Sequence, residues 1–243
     1  MDAILEISLF IFIGLIMGGV FAWLMLKIGK QQIINLYLFA TGILIGVVGF
    51  MLIPDALSHY SIPGLMIGTL AGLCFMMCLD EYVVKIIKRK QIHPRFVSGS
   101  LFLVLGIIFH TLPAGITIGT ELTGSSWEMN SLVGTFLLHQ IPEGMALFVS
   151  FLAWTDSLTP FFFAALLVAL SLFLSILIGN YALAFTYKTK SITMGLAIGT
   201  LSFASVHSIY LQQVKKQRKF VHILLGVMFV LLYMMVFLEH GIR

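Results

Sequence analysis

Charge is what this sequence has least of. Asp, Glu, Lys and Arg make up 10% of its 243 residues, against about 25% in a soluble globular domain. So little polar surface cannot coat a core that faces water, which excludes a soluble fold. A disordered chain is excluded too, since 60% of the residues are hydrophobic and the mean hydropathy is +1.07. Cysteine is almost absent. Cys74 and Cys78 stand four apart in an apolar run and read as small packing residues, not as a disulfide framework or zinc ribbon. The sequence also has no Ser/Pro-rich linker, no P-loop, no His-Glu-x-x-His and no Gly-x-Ser-x-Gly. The common signatures of ATPases, metalloproteases and serine hydrolases are therefore missing, and no enzyme is expected.

What is abundant is apolar sequence in runs of membrane-spanning length, which need about 20 residues each. Cutting at charge and turn clusters gives runs at roughly 4–26, 35–57, 62–84, 97–120, 131–154, 160–183, 192–212 and 220–240. The fold class expected is all-α: a polytopic membrane protein of eight transmembrane helices, one domain over residues 1–243. The first run has only Asp2 and Glu6 near its start and no basic residue before it. It lacks the n-region of a signal peptide and counts as helix 1.

The basic residues set an orientation. Lys27 and Lys30 follow helix 1; Lys85, Lys88, Arg89, Lys90 and Arg95 follow helix 3; Lys215, Lys216, Arg218 and Lys219 follow helix 7. Those eleven share one side of the membrane, and only Lys188, Lys190 and Arg243 lie on the other. By the positive-inside rule the crowded side is cytoplasmic and both termini face out. Topology thus accounts for the basic pI, and no nucleic-acid partner is expected. Small residues at four-residue spacing, Gly14/Gly18, Gly42/Gly46, Gly64/Gly68/Gly72 and Gly195/Gly199, predict a tight bundle and carry no chemistry.

The ten acidic residues sort by position. Nine stand near helix ends or in loops, with Asp80 and Glu81 expected to find Lys85 and Lys88 as helical neighbours. Only Glu143 falls well inside a span. An intramembrane carboxylate costs about 2.5–3.5 kcal/mol on insertion scales and needs a partner and a purpose. His139 stands one helical turn before it, within His139-Gln140-Ile141-Pro142-Glu143-Gly144. Pro142 has no N–H for the Leu138 carbonyl, which a kink then leaves exposed in a cavity. Helix 4 repeats the pattern as His110-Thr111-Leu112-Pro113-Ala114-Gly115, releasing the Phe109 carbonyl. Two His-x-x-Pro-x-Gly motifs on adjacent antiparallel helices meet near the bilayer midplane. Neutral imidazoles with a carboxylate suit zinc, iron, cobalt or manganese; the bland alternative is two hinge prolines with hydrogen-bonded histidines.

Other polar residues carry less. His207 reads as an exit-route residue or equally as a packing histidine. Asp55 and His59 read as a solvated cap before an entrance site, and His222 and His240 as interfacial. The thirteen methionines show no Met-x-x-Met repeat and read as filler.

At the helix 4 and 5 motifs the chain resembles the ZIP (Zrt/Irt-like) family of metal-ion transporters, and the resemblance extends over nearly the full length. Thr41-Gly42 through Leu52-Ile53-Pro54-Asp55-Ala56-Leu57 is similar to that family's helix 2, and Phe237-Leu238-Glu239 fits its helix 8. The resemblance implies an eight-helix bundle with kinked helices 4 and 5, and a two-metal centre. His110 and His139 match positions of its first site, and Glu143 matches the bridging glutamate. Thr111 and Gln140 stand where the second site has Asn or Asp, and Ala114 stands for the glutamate of helix 4. Helix 6, Leu170-Ser171-Leu172-Phe173-Leu174-Ser175, has no acid.

The function so implied is secondary transport of a divalent metal cation, zinc first, into the cytoplasm. Its metal ligands are expected to be His110, His139 and Glu143, with Thr111 and Gln140 as auxiliary oxygen donors. The metal is substrate, no cofactor is expected, and the partners are that ion and the lipid bilayer, with room for a homodimer. The expected location is a bacterial plasma membrane. The alternative is a ZIP-like paralogue that does not transport zinc and serves as a membrane sensor or partner subunit. An intramembrane metalloenzyme or a bis-histidine haem protein is a third, weaker reading.

Overall fold

A computed structural model of the chain describes residues 2–29, 33–89, 94–121, 129–152, 155, 157–181, 186–211 and 217–241. Every regular element among them is helical, and the eight expected helices are all found. They are α1 (Asp2–Gly29), α2 (Ile33–His59), α3 (Ile62–Arg89), α4 (Pro94–Glu121), α5 (Met129–Leu152), α6 (Thr159–Tyr181), α7 (Tyr187–Leu211) and α8 (Gln217–Gly241). Among the described residues, α1, α2, α3 and α6 are each long and apolar enough to cross a membrane. Their outer faces carry large exposed apolar side chains, such as Leu5 and Leu9 on α1, Met66 and Leu70 on α3, and Phe163 and Leu167 on α6. In a membrane protein that ring is the lipid-facing surface. α2 is different: 67% of its span is buried, against 33% for α1 and 28% for α3, so it lies inside the bundle.

Helices adjacent in sequence are not the closest neighbours in space. The tightest approaches are α1 with α5, α2 with α8, α3 with α7 and α4 with α6, and each is made at glycine. A Cβ on Gly18 would collide with the Ile141 carbonyl, and one on Gly144 with the Leu15 backbone. Gly42 meets Ile223 and Gly226 meets Phe39; Gly68 meets Ile192 and Gly195 meets Leu65; Gly119 meets Ile176 and Gly179 meets Ile116. Along α3 and α7 the contacts climb together, from Gly64 on Ser191 to Gly72 on Leu196, so the pair is parallel. The same holds for α4 with α6 (Gly115 on Ser175, Gly119 on Ile176) and α2 with α8 (Gly42 on Ile223, Gly46 on Val230). The glycine stripes on α2, α3 and α7 are therefore packing faces, as their spacing predicts.

The pairs are joined by α4. It runs antiparallel to α7, with Phe102 against His207 and Gly106 against the Thr200 carbonyl. It runs antiparallel to α5 as well, where Ser100 Oγ donates to the Ser150 carbonyl at 2.8 Å. Both α4 and α5 continue as helix through Pro113 and Pro142. A marked irregularity lies on α2, where Val47–Leu52 forms a π-helical turn and the Ile53 N–H reaches the Val48 carbonyl, five residues back. Pro54 follows at once, and the wider turn accommodates a residue that has no N–H and crowds the preceding turn.

Cys74 and Cys78 are free thiols but not packing residues. Both are exposed on α3, because Gly68 and Gly72 are what turn toward α7.

Close backbone packing makes a direct prediction. Gly68→Val forces a branched side chain onto the Ile192 carbonyl and should cost about 1–3 kcal/mol. In detergent its melting temperature should fall by several degrees. Gly49→Ala, whose Cβ meets nothing within 4 Å, should change it little.

Candidate metal centre

The two Pro-containing motifs do meet. His110 on α4 and Glu143 on α5 face one another across the antiparallel pair, with Nε2 3.7 Å from Oε1. Both are buried, Glu143 completely and His110 to 6% exposure. The α5 segment around them is closed on all sides: from Gly144 to Ser150 every residue is buried. Gly144 lets α1 come against α5 at the Leu15 backbone, one residue past the carboxylate. The same small residue that admits α1 thus walls off Glu143 from lipid.

Gln140 is also fully buried, and neither its amide nitrogen nor its amide oxygen has a hydrogen-bond partner among the described residues. A buried primary amide without partners costs on the order of 1–3 kcal/mol, so its retention needs a reason beyond folding. Thr111, next to His110, is buried, donates to the Ile108 carbonyl at 2.9 Å and lies 3.3 Å from Ser171 Oγ on α6. The side chains of His139 and Ala114 lie outside the described residues, although both positions are helical. Of the five sequence-derived site residues, four are therefore located in the interior, and His110 and Glu143 are in contact. Among the described residues no three His, Cys, Asp or Glu side chains converge.

A second polar contact departs from expectation. Asp80 Oδ1 on α3 lies 3.7 Å from His207 Nε2 on α7, where sequence spacing pointed to lysine partners along α3. The imidazole stacks on Phe203, with centroids 5.3 Å apart, and meets Phe102 of α4 edge-on. The parallel α3·α7 pair brings these residues together, a tertiary relation that helical spacing within α3 cannot reveal. Asp55 and His59 sit 3.3 Å apart at the end of α2, both well exposed, which fits a solvated cap.

The family model of ZIP zinc transporters matches residues 86–235, more than half of the chain. The chain belongs to the ZIP zinc transporter family. No curated protein matches the sequence. The matched stretch holds α4 and α5 entire, and with them His110, Thr111, His139, Gln140 and Glu143. As a ZIP family member the chain is an integral membrane protein of a transporter class, and a divalent metal ion is its class of substrate.

Within this ZIP chain, Glu143 lies fully buried. A carboxylate in an apolar interior costs folding free energy that a neutral isostere does not. Glu143→Gln should leave the metal-free protein as stable as the wild type or raise its stability by about 1–3 kcal/mol. Denaturant-induced unfolding in detergent micelles measures this directly.

Proposed function

We propose that the chain carries a divalent cation, zinc first, to the cytoplasmic side through one site near the bilayer midplane formed by His110, His139 and Glu143. Thr111 and Gln140 serve as auxiliary oxygen donors. The observation that carries this reading is the buried His110–Glu143 pair at 3.7 Å. Around a tetrahedral zinc with ligands at about 2.0–2.2 Å, neighbouring nitrogen and oxygen atoms stand roughly 3.4 Å apart. A shift of a few tenths of an ångström brings the pair to that spacing, whereas an N–H···O hydrogen bond would hold it near 2.9 Å. His139 precedes Glu143 by one helical turn on α5 and supplies a second imidazole. The unpartnered amide of Gln140 gains a role as a donor to the ion or to its water.

The charge distribution supports an orientation. Eleven basic residues on the loops after helices 1, 3 and 7, against three on the other side, support a cytoplasmic location for those loops with both termini outside; the membrane proposed is a bacterial plasma membrane. Alternating access then comes from α4 and α5 moving against the flanking bundle, as in other transporters with midplane sites. A sensor or partner subunit on the same scaffold is the second reading, favoured by the hydroxyls that α6 offers in place of an acid, Ser171 and Ser175.

Two measurements test these readings. In proteoliposomes the wild type should take up Zn2+ at least about tenfold faster than a Glu143→Ala, His139→Ala double variant. Equal fluxes overturn the transport reading, and tight stoichiometric binding without flux supports the sensor. For orientation, Lys88→Cys in a Cys74→Ser, Cys78→Ser background should react with an impermeant thiol reagent only after permeabilisation. Lys188→Cys should react in intact cells, and the reverse pattern overturns this orientation.

A further inference from the structure

A second titratable pair lies away from His110 and Glu143, where the C-terminal ends of α3 and α7 meet the first half of α4. His207 of α7 touches three elements there. Its Nε2 is 3.7 Å from Asp80 Oδ1 on α3. Its ring stacks on Phe203 of its own helix, with 5.3 Å between centroids and 16° between planes. It meets Phe102 of α4 at 5.0 Å and 68°. The imidazole is nearly enclosed, at 10% side-chain exposure, whereas Asp80 is partly hydrated at 29%. Asp80 Oδ1 itself is buried and accepts no hydrogen bond among the described residues. A gap of 3.7 Å is too long for such a bond, so the imidazole packs as an aromatic ring with an acceptor oxygen beside it.

The two protonation states of that ring ask for different neighbours. A neutral imidazole suits the cleft between Phe102 and Phe203 as a third aromatic. An imidazolium is poorly solvated there, and the Asp80 carboxylate offers the compensation. A charge-assisted N–H···O bond stands at about 2.7–2.9 Å, so the ring must move toward α3 to make it. Phe203 shares a helix with His207 and keeps its contact, including cation–π attraction. Phe102 is on another helix and loses its own. Phe102 also belongs to the small core of Met76 and Ala204, which the same movement opens on its α4 side. Other titratable groups on these elements stand further out or beyond description. Cys78, Glu81, Tyr82 and Lys85 of α3 are exposed. α2, which also packs on α7, has Tyr37 alone as a titratable group between Ile33 and Pro54. The side chains of Arg95 on α4 and Tyr210 on α7 lie outside the described residues.

We propose that His207 and Asp80 form a proton-binding site that sets the grip of α7 on α4. The neutral imidazole holds Phe102; protonation draws it onto Asp80 and releases α4. His207 is thus a positioning residue, acting through Phe102, which stands two turns before His110 on one helix. The consequence for transport rests on the reading of α4 as a moving helix, whereas the grip itself does not depend on any ion being carried. In the orientation proposed above the site faces the cytoplasm. Acid on that side then speeds the step in which α4 moves.

Hydrogen exchange of the α4 backbone around Phe102 tests the grip, in the full-length, metal-free protein in detergent micelles. Rates are corrected for the intrinsic pH dependence of exchange. Wild-type protection should fall about tenfold between about pH 7.5 and about pH 5.5. His207→Phe keeps an aromatic ring that cannot take a proton, and Asp80→Asn removes the carboxylate. Each should change by less than about twofold over the same range. Both are checked for a wild-type melting temperature, and Asp80→Asn, at a partly exposed position, serves alone if the other fails to fold. Wild-type protection that is constant with pH overturns the proposal, as does a fall that persists undiminished in the variants. In proteoliposomes, Zn2+ uptake by wild type relative to Asp80→Asn should rise about threefold when the compartment facing the C-terminal ends of α3 and α7 is acidified. A constant ratio, in a wild type that transports, overturns the proposal too. A wild type without flux at any pH, yet with the expected exchange pattern, leaves the proton site standing and removes the transport reading alone.

Discussion

The bundle depends on backbone meeting backbone at glycine. Between helices in lipid, apolar burial supplies little net force, because the alternative environment is as apolar as the interface. Association then relies on van der Waals contact at short range, which only small residues permit. Here four parallel pairs, α1·α5, α2·α8, α3·α7 and α4·α6, are each closed in that way. The chemistry inherits its geometry from these contacts. Gly144 stands next to Glu143 and holds α1 over it; Gly115 and Gly119 follow Thr111 and hold α6 beside it. The antiparallel α4·α5 crossing that joins His110 to Glu143 is the less intimate interface, fixed by its neighbours as much as by its own contacts.

α4 is where the constraints converge. It takes part in one parallel glycine pair and in antiparallel contacts with α5 and α7. Two turns before His110, Phe102 is fully buried against Phe203 and His207. Met76, Phe102 and Ala204 form a small core of their own there, apart from the main one. Polar atoms of Asp80 and His207 border that small core at 3.7 Å. The C-terminal ends of α3 and α7 are therefore linked to His110 along one helix.

Much of this was legible because charge is so scarce. With ten acids in the chain and nine of them assignable to ends and loops, Glu143 stood out before any coordinates, and the repeated His-x-x-Pro-x-Gly pattern named its partner helix. The eight helices were legible for the same reason: apolar run length alone reveals a span. Which helices pair was not legible. Helices that are apolar on all sides have no periodic face to read, and the glycines that decide the pairing recur on nearly every one. Gly179 and Gly226 have no glycine four residues away and so belong to no stripe. The π turn ahead of Pro54 was missed because a lone proline near a helix end reads as an ordinary terminus. Asp80 was assigned to its own helix because the contact with His207 spans well over a hundred residues of sequence.

The charge balance of the interior fits cargo better than a permanent metal. A structural divalent site closes its ligand shell with enough anionic charge to offset desolvation of the ion. Around His110 the described interior offers one carboxylate, Glu143, with an amide and hydroxyls nearby, all neutral. A bound divalent ion would retain a net positive charge there. It would be held by orientation of neutral dipoles more than by ion pairing, and such holding is weak. Passage through a membrane requires binding strong enough to enter and weak enough to leave. The residues that look like losses, judged as a storage site, are for that reason consistent with release.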